Sequence, residues 1–232
     1  MAVMTWHGAG TREIEAGVSE VALFTIGAGG AYGTGVPWNG VTAINENPSG
    51  ADVTDLYADD IKYASMRAAE KFGFSIEAYT YPAAWAECDG SAEATTGVYL
   101  GQQNRKAFGL VYKSKIGDET HPGMDKGYKL HIIYNSTASP SGRTYTTIGE
   151  NPDALSFSWE ANSTPVEVTG YKATCEIVID STKANATNLA TLLGMIYGTT
   201  QTDPTLPNPD TVISTMSRSR SEERRVGKEC RS

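Results

Sequence analysis

Apolar residues fall at every second position in several separate runs of this chain: Leu155, Phe157 and Trp159; Tyr128, Leu130, Ile132 and Tyr134; Ala173, Cys175, Ile177 and Ile179. Period two puts such residues on one face of a strand, and small polar partners on the other face suit an antiparallel sheet with one wet side. Clusters of Gly, Pro, Asn and Asp separate the runs. Predicted strands cover 18–26, 36–44, 52–58, 72–81, 97–100, 106–116, 128–134, 144–148, 155–161, 166–168 and 172–179. The 24 Gly and 10 Pro in 232 residues, with 40% hydrophobic residues, fit a turn-rich β protein with a real core.

Two segments read as helix. The first is short, 82–88, with Pro82 at its first position. The second covers 185–197, where Leu189, Leu192, Leu193, Ile196 and Tyr197 form an amphipathic stripe between an Asn185 N-cap and a Gly198 stop. Beyond it, Thr202-Asp-Pro-Thr-Leu-Pro-Asn-Pro-Asp210 is too proline-rich for a helix and reads as an extended C-terminal arm. The glycine-rich stretch up to Gly35 reads as an N-terminal arm. The expected architecture is mainly β: an antiparallel sandwich or barrel flanked by one helix at 185–197, with extended terminal arms.

Residues 218–232 differ in composition from the body. They hold six of the nineteen basic residues and three of the twenty-seven acidic ones, so the body carries thirteen against twenty-four, a charge of -11. This piece is similar to a translated adapter or vector tail, and the native domain is expected to span 1–217. An acidic body argues against phosphate binding, which needs clustered Lys and Arg. There is no apolar run of about 18 residues, and no membrane insertion is expected. Cys88, Cys175 and Cys230 match neither a zinc pattern nor a disulfide framework, which points to a reducing cytoplasm.

A search for chemistry yields little. Gly27-Ala-Gly-Gly-Ala-Tyr-Gly-Thr-Gly35 has no Lys-Ser/Thr after it and reads as a flexible loop rather than a phosphate cradle. Asp118, Glu119, His121 and Asp125 concentrate oxygens in one loop but miss the calcium-loop spacing, and read as a solvated turn. His131 lies opposite the apolar face of its strand, a hydrogen-bonded or wet position. Asp59 and Asp60 point to opposite faces if they lie on a strand, so they form no glycosidase pair. Trp38, Trp85 and Trp159 read as core or interface anchors. No catalytic residue, metal or cofactor is expected.

The order of a series of blocks resembles the major tail (tail tube) proteins of long non-contractile-tailed bacteriophages. These blocks are Trp38-Asn39-Gly40-Val41-Thr42, Pro48-Ser49-Gly50-Ala51, Leu56-Tyr57-Ala58-Asp59, Ile61-Lys62-Tyr63, Ile76-Glu77-Ala78-Tyr79-Thr80-Tyr81-Pro82 and Cys88-Asp89-Gly90. They continue with Gly101-Gln102-Gln103, Phe108-Gly109-Leu110-Val111-Tyr112, Ile116-Gly117, Tyr128-Lys129-Leu130-His131 and Phe157-Ser158-Trp159-Glu160. Thr164-Pro165-Val166, Thr169-Gly170-Tyr171-Lys172, Leu206-Pro207 and Pro209-Asp210 complete the series. The similarity runs over about 8–213.

The resemblance implies a subunit that forms hexameric rings, stacked into a tube in the virion tail after synthesis in the host bacterial cytoplasm. Implied partners are other copies of the chain and the tape-measure, tail-terminator and distal tail or baseplate proteins. DNA would pass through the lumen without specific binding. Contacts between copies are expected from the N-terminal segment, from residues 45–63 and from the arm after Gly198. The expected contact residues are Trp38, Asn39, Asn47, Pro48, Asp52, Asp55, Tyr57, Asp59, Asp60, Pro204, Pro207 and Pro209. Other readings are a phage surface or receptor-binding sandwich domain, a tube protein of a contractile-tail or type VI-like system, and a β-sandwich glycosidase needing two carboxylates about 5–10 Å apart.

Overall fold

The computed structural model describes residues 4, 6–27, 29–148 and 154–218. Among these, the strands are β1 (Ile14–Thr25), β2 (Val36–Pro37), β3 (Val41–Glu46), β4 (Ser49–Gly50), β5 (Val53–Ala58), β6 (Ile61–Arg67) and β7 (Glu70–Ala78). After a short helix α1 (Trp85–Cys88) come β8 (Ala92–Thr95), β9 (Val98–Leu100), β10 (Phe108–Gly117), β11 (Gly127–Ala138), β12 (Phe157–Ser163) and β13 (Glu176–Asp180). Two helices close the described chain, α2 (Ala186–Tyr197) and α3 (Pro209–Ser217).

One antiparallel sheet carries the fold, in the order β2-β1-β10-β11-β12-β7-β3, with β13 also on β11 and β4 also on β7. It curls until β1 and β3, far apart in that order, pack against each other. The inner face holds an aromatic cluster in which Trp85 lies 4.6 Å from Trp38, 5.4 Å from Trp159 and 5.0 Å from Phe108 between ring centres. The outer face of β1, β10 and β11 is covered by Leu189, Leu192 and Ile196 of α2, Val212 of α3 and Leu206 between them. These three strands therefore have a core on each side. Val21, Ala22, Leu23 and Phe24 are all buried, with Val21 and Leu23 facing inward and Ala22 and Phe24 outward. A strand wet on one side needs alternation; a strand covered on both does not.

The segment expected as one strand over 36–44 is two. Gly40, at φ +81°, turns the chain from β2, which pairs with β1, to β3, which pairs with β7. Trp38 sits in this crossing with its backbone N–H on the Val21 carbonyl at 2.8 Å and its indole N–H on the Thr80 carbonyl at 2.8 Å. Residues 144–148 form no strand: Tyr145 and Ile148 are exposed and no neighbouring edge pairs them, so strand propensity has nothing to act on. Strands β6 and β8 were not expected. At α1, Pro82 precedes the helix, its carbonyl accepting from the Trp85 N–H, rather than opening it.

The expected arms are the largest correction: the N-terminal one contains β1, a strand inside the sheet, and the C-terminal one folds back. Residues after Gly198 turn back and dock. Pro204 accepts from the Gly35 N–H at 2.9 Å, and Leu206 is buried where a Cβ on Gly109 would meet its Cδ2 at 2.3 Å. Asn208 then caps α3 by accepting from the Thr211 N–H at 2.8 Å, and Pro209 fills the first helical position, where its missing N–H costs nothing. Two helices thus flank the sheet instead of one. In α2, Asn185 accepts from the Thr187 and Asn188 N–H groups as expected. Buried Asn188 donates to the Met216 and Arg218 carbonyls, both at 3.0 Å, and satisfies the end of α3. Of the tail that reads as foreign, residues 219–232 lie outside those described.

Removing the Trp159 ring leaves a cavity facing Trp38, Trp85, Tyr81 and Phe157. Trp159→Ala is expected to cost about 3–5 kcal/mol, read as a lowered urea midpoint. Asn208→Ala is expected to cost only about 1 kcal/mol, because it loses one cap.

Candidate functional site

Two features stand apart from the core, and the first is a ribbon. Beyond Glu46 the β3–β7 pairing continues through Ser49↔Lys71 and Gly50↔Glu70 into β5–β6, which pair only with each other. Gly50 (φ +86°) and Ala51 (φ +58°) bend the ribbon where it leaves the sheet. Asp59 and Asp60, both at positive φ, make the two-residue turn at the tip rather than strand positions. Opposite pairs place Leu56 with Ala64, Thr54 with Met66 and Ala58 with Ile61 on one side, a nearly all-apolar face. The other face carries Val53, Tyr57 and the Asp55–Lys62 ion pair at 2.8 Å. Tyr57 is 69% exposed, Ile61 65%, Tyr63 75% and Met66 61%. A smaller self-paired hairpin, β8–β9, likewise exposes Val98, Tyr99 and Leu100.

The expected contact residues divide on this geometry. Asn47, Pro48, Asp52, Asp55, Tyr57, Asp59 and Asp60 follow the ribbon from root to tip, and all but the half-buried Asp55 are exposed. Asn39 and Pro204 instead line a cleft of about 580 Å³ over Val18–Ala22, beside Tyr197. Pro207 is half-buried and its carbonyl accepts from the Tyr134 hydroxyl at 3.1 Å. Trp38 and Pro209 are buried inside the fold and present no surface for a contact between copies. Their aromatic and cyclic side chains are consumed by packing.

The second feature was not legible in the sequence, because its residues come from five strands. His131 on β11 stacks on Tyr112 of β10 at 4.5 Å between nearly parallel rings. Its Nε2 faces Ser114 Oγ at 3.1 Å and Glu15 Oε1 at 3.5 Å. Its Nδ1 faces Glu176 Oε1 at 3.0 Å and Glu46 Oε1 at 3.7 Å. Tyr112 donates to Glu46, Ser114 donates to Glu15, and Lys129 pairs with Glu15. Ligand atoms of Glu46, His131 and Glu176 all lie within 4.8 Å of one another, a separation that admits a metal ion. Burial pushes Glu46 up, and the nearby Glu176 charge adds to that against the Tyr112 hydrogen bond. Burial pushes His131 down, but Glu176, Glu46 and Glu15 outweigh it and hold it above its ordinary value.

The loop expected to be a solvated, acidic turn is organised by one buried carboxylate. Asp118 Oδ2 meets Lys126 Nζ at 2.8 Å, and Oδ1 accepts from the Thr120 N–H, the Thr120 hydroxyl and the His121 N–H. Lys126 also reaches Glu13 at 2.8 Å and the Gly10 carbonyl at 2.9 Å, which tethers the N-terminal segment. The glycine-rich loop expected to be flexible is pinned by the Gly33 N–H on the Thr25 carbonyl and the Asn135 N–H on the Tyr32 hydroxyl. Cys88 is buried, and desolvation pushes its thiol up to about 12.

No family model matches the chain, and no curated protein matches its sequence. Among the described residues no helix is long and apolar enough to cross a membrane.

Lys126, then Thr120 and His121, hold the Asp118 carboxyl far below its ordinary 3.8 against the upward push of burial. A depressed carboxyl stabilises the fold fully above the unfolded value and loses that contribution as pH falls toward the folded one. Asp118→Asn is therefore expected to lower the urea midpoint at pH 7 and to flatten its decline below about pH 4 relative to the parent.

Proposed function

We propose that the chain is a structural subunit that assembles with copies of itself into stacked hexameric rings, the wall of a bacteriophage tail tube through which the genome leaves. The observation that carries this reading is the β5–β6 ribbon. A two-stranded hairpin is marginal alone in water, and this one holds apolar side chains in solvent along its length. At about 3.3 Å per residue its six-residue strand β5 reaches roughly 20 Å past the bend, far enough to lie across another subunit. The resemblance of the ordered sequence blocks to tail tube proteins favours another copy of the chain as that subunit.

Ring assembly needs heterologous contacts, in which one patch of a subunit meets a different patch of the next. A ribbon that leaves the sheet, to lie on a different patch of the next subunit, is a part of that kind. A body charge of -11 opposes adhesion of DNA to a channel wall. The chemistry of an enzyme is not required by this reading, and no cofactor enters it.

The test is excision of the ribbon at its root. Ala68 N–H donates to the Asp52 carbonyl, so the two strands are already closed there. Replacing residues 53–67 with an Asn-Gly turn is expected to preserve the melting temperature to within a few degrees. Rings and tubes seen by negative-stain microscopy of the parent should disappear from the variant. A parent that stays monomeric at high concentration, or a variant that still forms tubes, overturns the proposal.

A further inference from the structure

The hydrogen bonds around His131 leave three acceptors pointing at one another. Ser114 has a single hydroxyl proton, and it goes to Glu15, whose other oxygen accepts from Lys129. Ser114 Oγ therefore has only lone pairs to offer His131, so Nε2 carries a proton and donates to it at 3.1 Å. In the neutral imidazole the opposite nitrogen, Nδ1, is then a lone pair. It faces Glu176 Oε1 at 3.0 Å and Glu46 Oε1 at 3.7 Å, two more acceptors. Among the described residues, neither Glu46 nor Glu176 has a Lys or Arg partner, whereas Glu15 has Lys129. With His131 neutral, three acceptors converge here, and a position between them suits a cation or a proton.

We propose that Glu46, His131 and Glu176 form a binding site for a divalent transition-metal cation of the zinc class. One imidazole and two carboxylates match the borderline ligand set of such ions and neutralise a double positive charge. The support around them is of the kind metal sites use: the non-ligating nitrogen of the histidine donates to a fixed oxygen that is itself tied to a carboxylate, which sets the tautomer and aims Nδ1. The Tyr112 hydroxyl holds Glu46 and its ring holds the imidazole plane. Cavities of about 510 and 380 Å³ reach Glu46 from two sides, one past Glu176 and the other past His131, leaving room for water to complete the coordination. The site joins β3, β11 and β13, of which β3 pairs with neither of the others, so an ion here staples the curled sheet across its unclosed side. This inference is independent of the tube reading.

Zinc chloride alone, titrated into the full chain at pH 7.5, is the probe. At a hundredfold excess over Kd the melting temperature should rise by roughly 5–10 °C. The rise should be lost in Glu176→Gln and His131→Asn, each checked for native circular dichroism, and kept in His121→Ala. Nitrogen-15 spectra should show Nδ1, not Nε2, changing on addition of zinc. A proton is the competing occupant. Absence of a zinc shift, with or without a doubly protonated His131 in the spectra, overturns the proposal. An equal shift in the Glu176→Gln and His131→Asn variants does so too, because it puts the ion elsewhere. If either variant does not fold, the nitrogen-15 response of the parent decides alone.

Discussion

Burial of β1, β10 and β11 on both faces is the constraint on which the remaining structure depends. These strands supply the inward Leu23, Leu110 and Ile133 and the outward Phe24, Val111 and Ile132. A sheet with an apolar outer face must be covered, and the chain covers it with its own C-terminal quarter. That requirement recruits α2, pulls the proline-rich segment back so that Leu206 enters the outer core, and gives α3 a partner. The inner face makes the complementary demand. Its aromatic cluster is too large for a flat sheet to enclose, and the curl that encloses it brings β1 against β3.

The curl is not closed by backbone hydrogen bonds. Strand β1 pairs with β10 and with the two residues of β2, while β3 pairs with β7. Trp38 covers the gap at one level, with its N–H on Val21 and its indole on Thr80. At another level the gap is spanned by side chains: Tyr112 of β10 reaches Glu46 of β3, and His131 lies between Glu15 of β1 and Glu46. A polar cluster in that position replaces the missing ladder. Such a cluster is costly unless every member is satisfied, which is why the acceptor-facing Nδ1 is informative.

How much of this was legible in the sequence follows from which forces act locally. Helix α2 was read with its cap and its stop, because Asn185, the apolar stripe and Gly198 are all short-range signals. The single-faced strand β12 was read from its alternation. Helix α3 was missed although Asn208-Pro209-Asp210 is a good N-terminus, because the prolines before it dominated the reading and Thr211, Val212 and Ile213 are poor helix formers that only tertiary packing holds. The hairpin or loop expected over 45–63 covers β5 and the turn but stops inside β6, which runs to Arg67 and is not legible as a strand, since nothing in Lys62-Tyr63-Ala64-Ser65 alternates cleanly across the bulge near Tyr57. The carboxylates around His131 come from positions 15, 46 and 176 and meet only through the curl of the sheet. No spacing rule can find such a set.

Glu46 connects the two features that the core does not explain. It is the last residue of β3, and the next residues begin the ribbon. On the core side its carboxylate is held by Tyr112 and faces His131; on the ribbon side Asn47 still hydrogen-bonds Gly73, and only after Gly50 does the ribbon bend away. The ribbon is carried by both of its strands, β5 by way of β4 and β3 and β6 by way of β7, so the anchoring of β3 at Glu46 is one of two restraints on its orientation. A cluster that fixes Glu46 by charge rather than by packing makes that anchor sensitive to what occupies it. Packing of Leu23 or Ile76 cannot be altered by the solution, whereas the occupant of a ring of acceptors can. A cation at the proposed site would therefore act on one of the two strands that carry the ribbon.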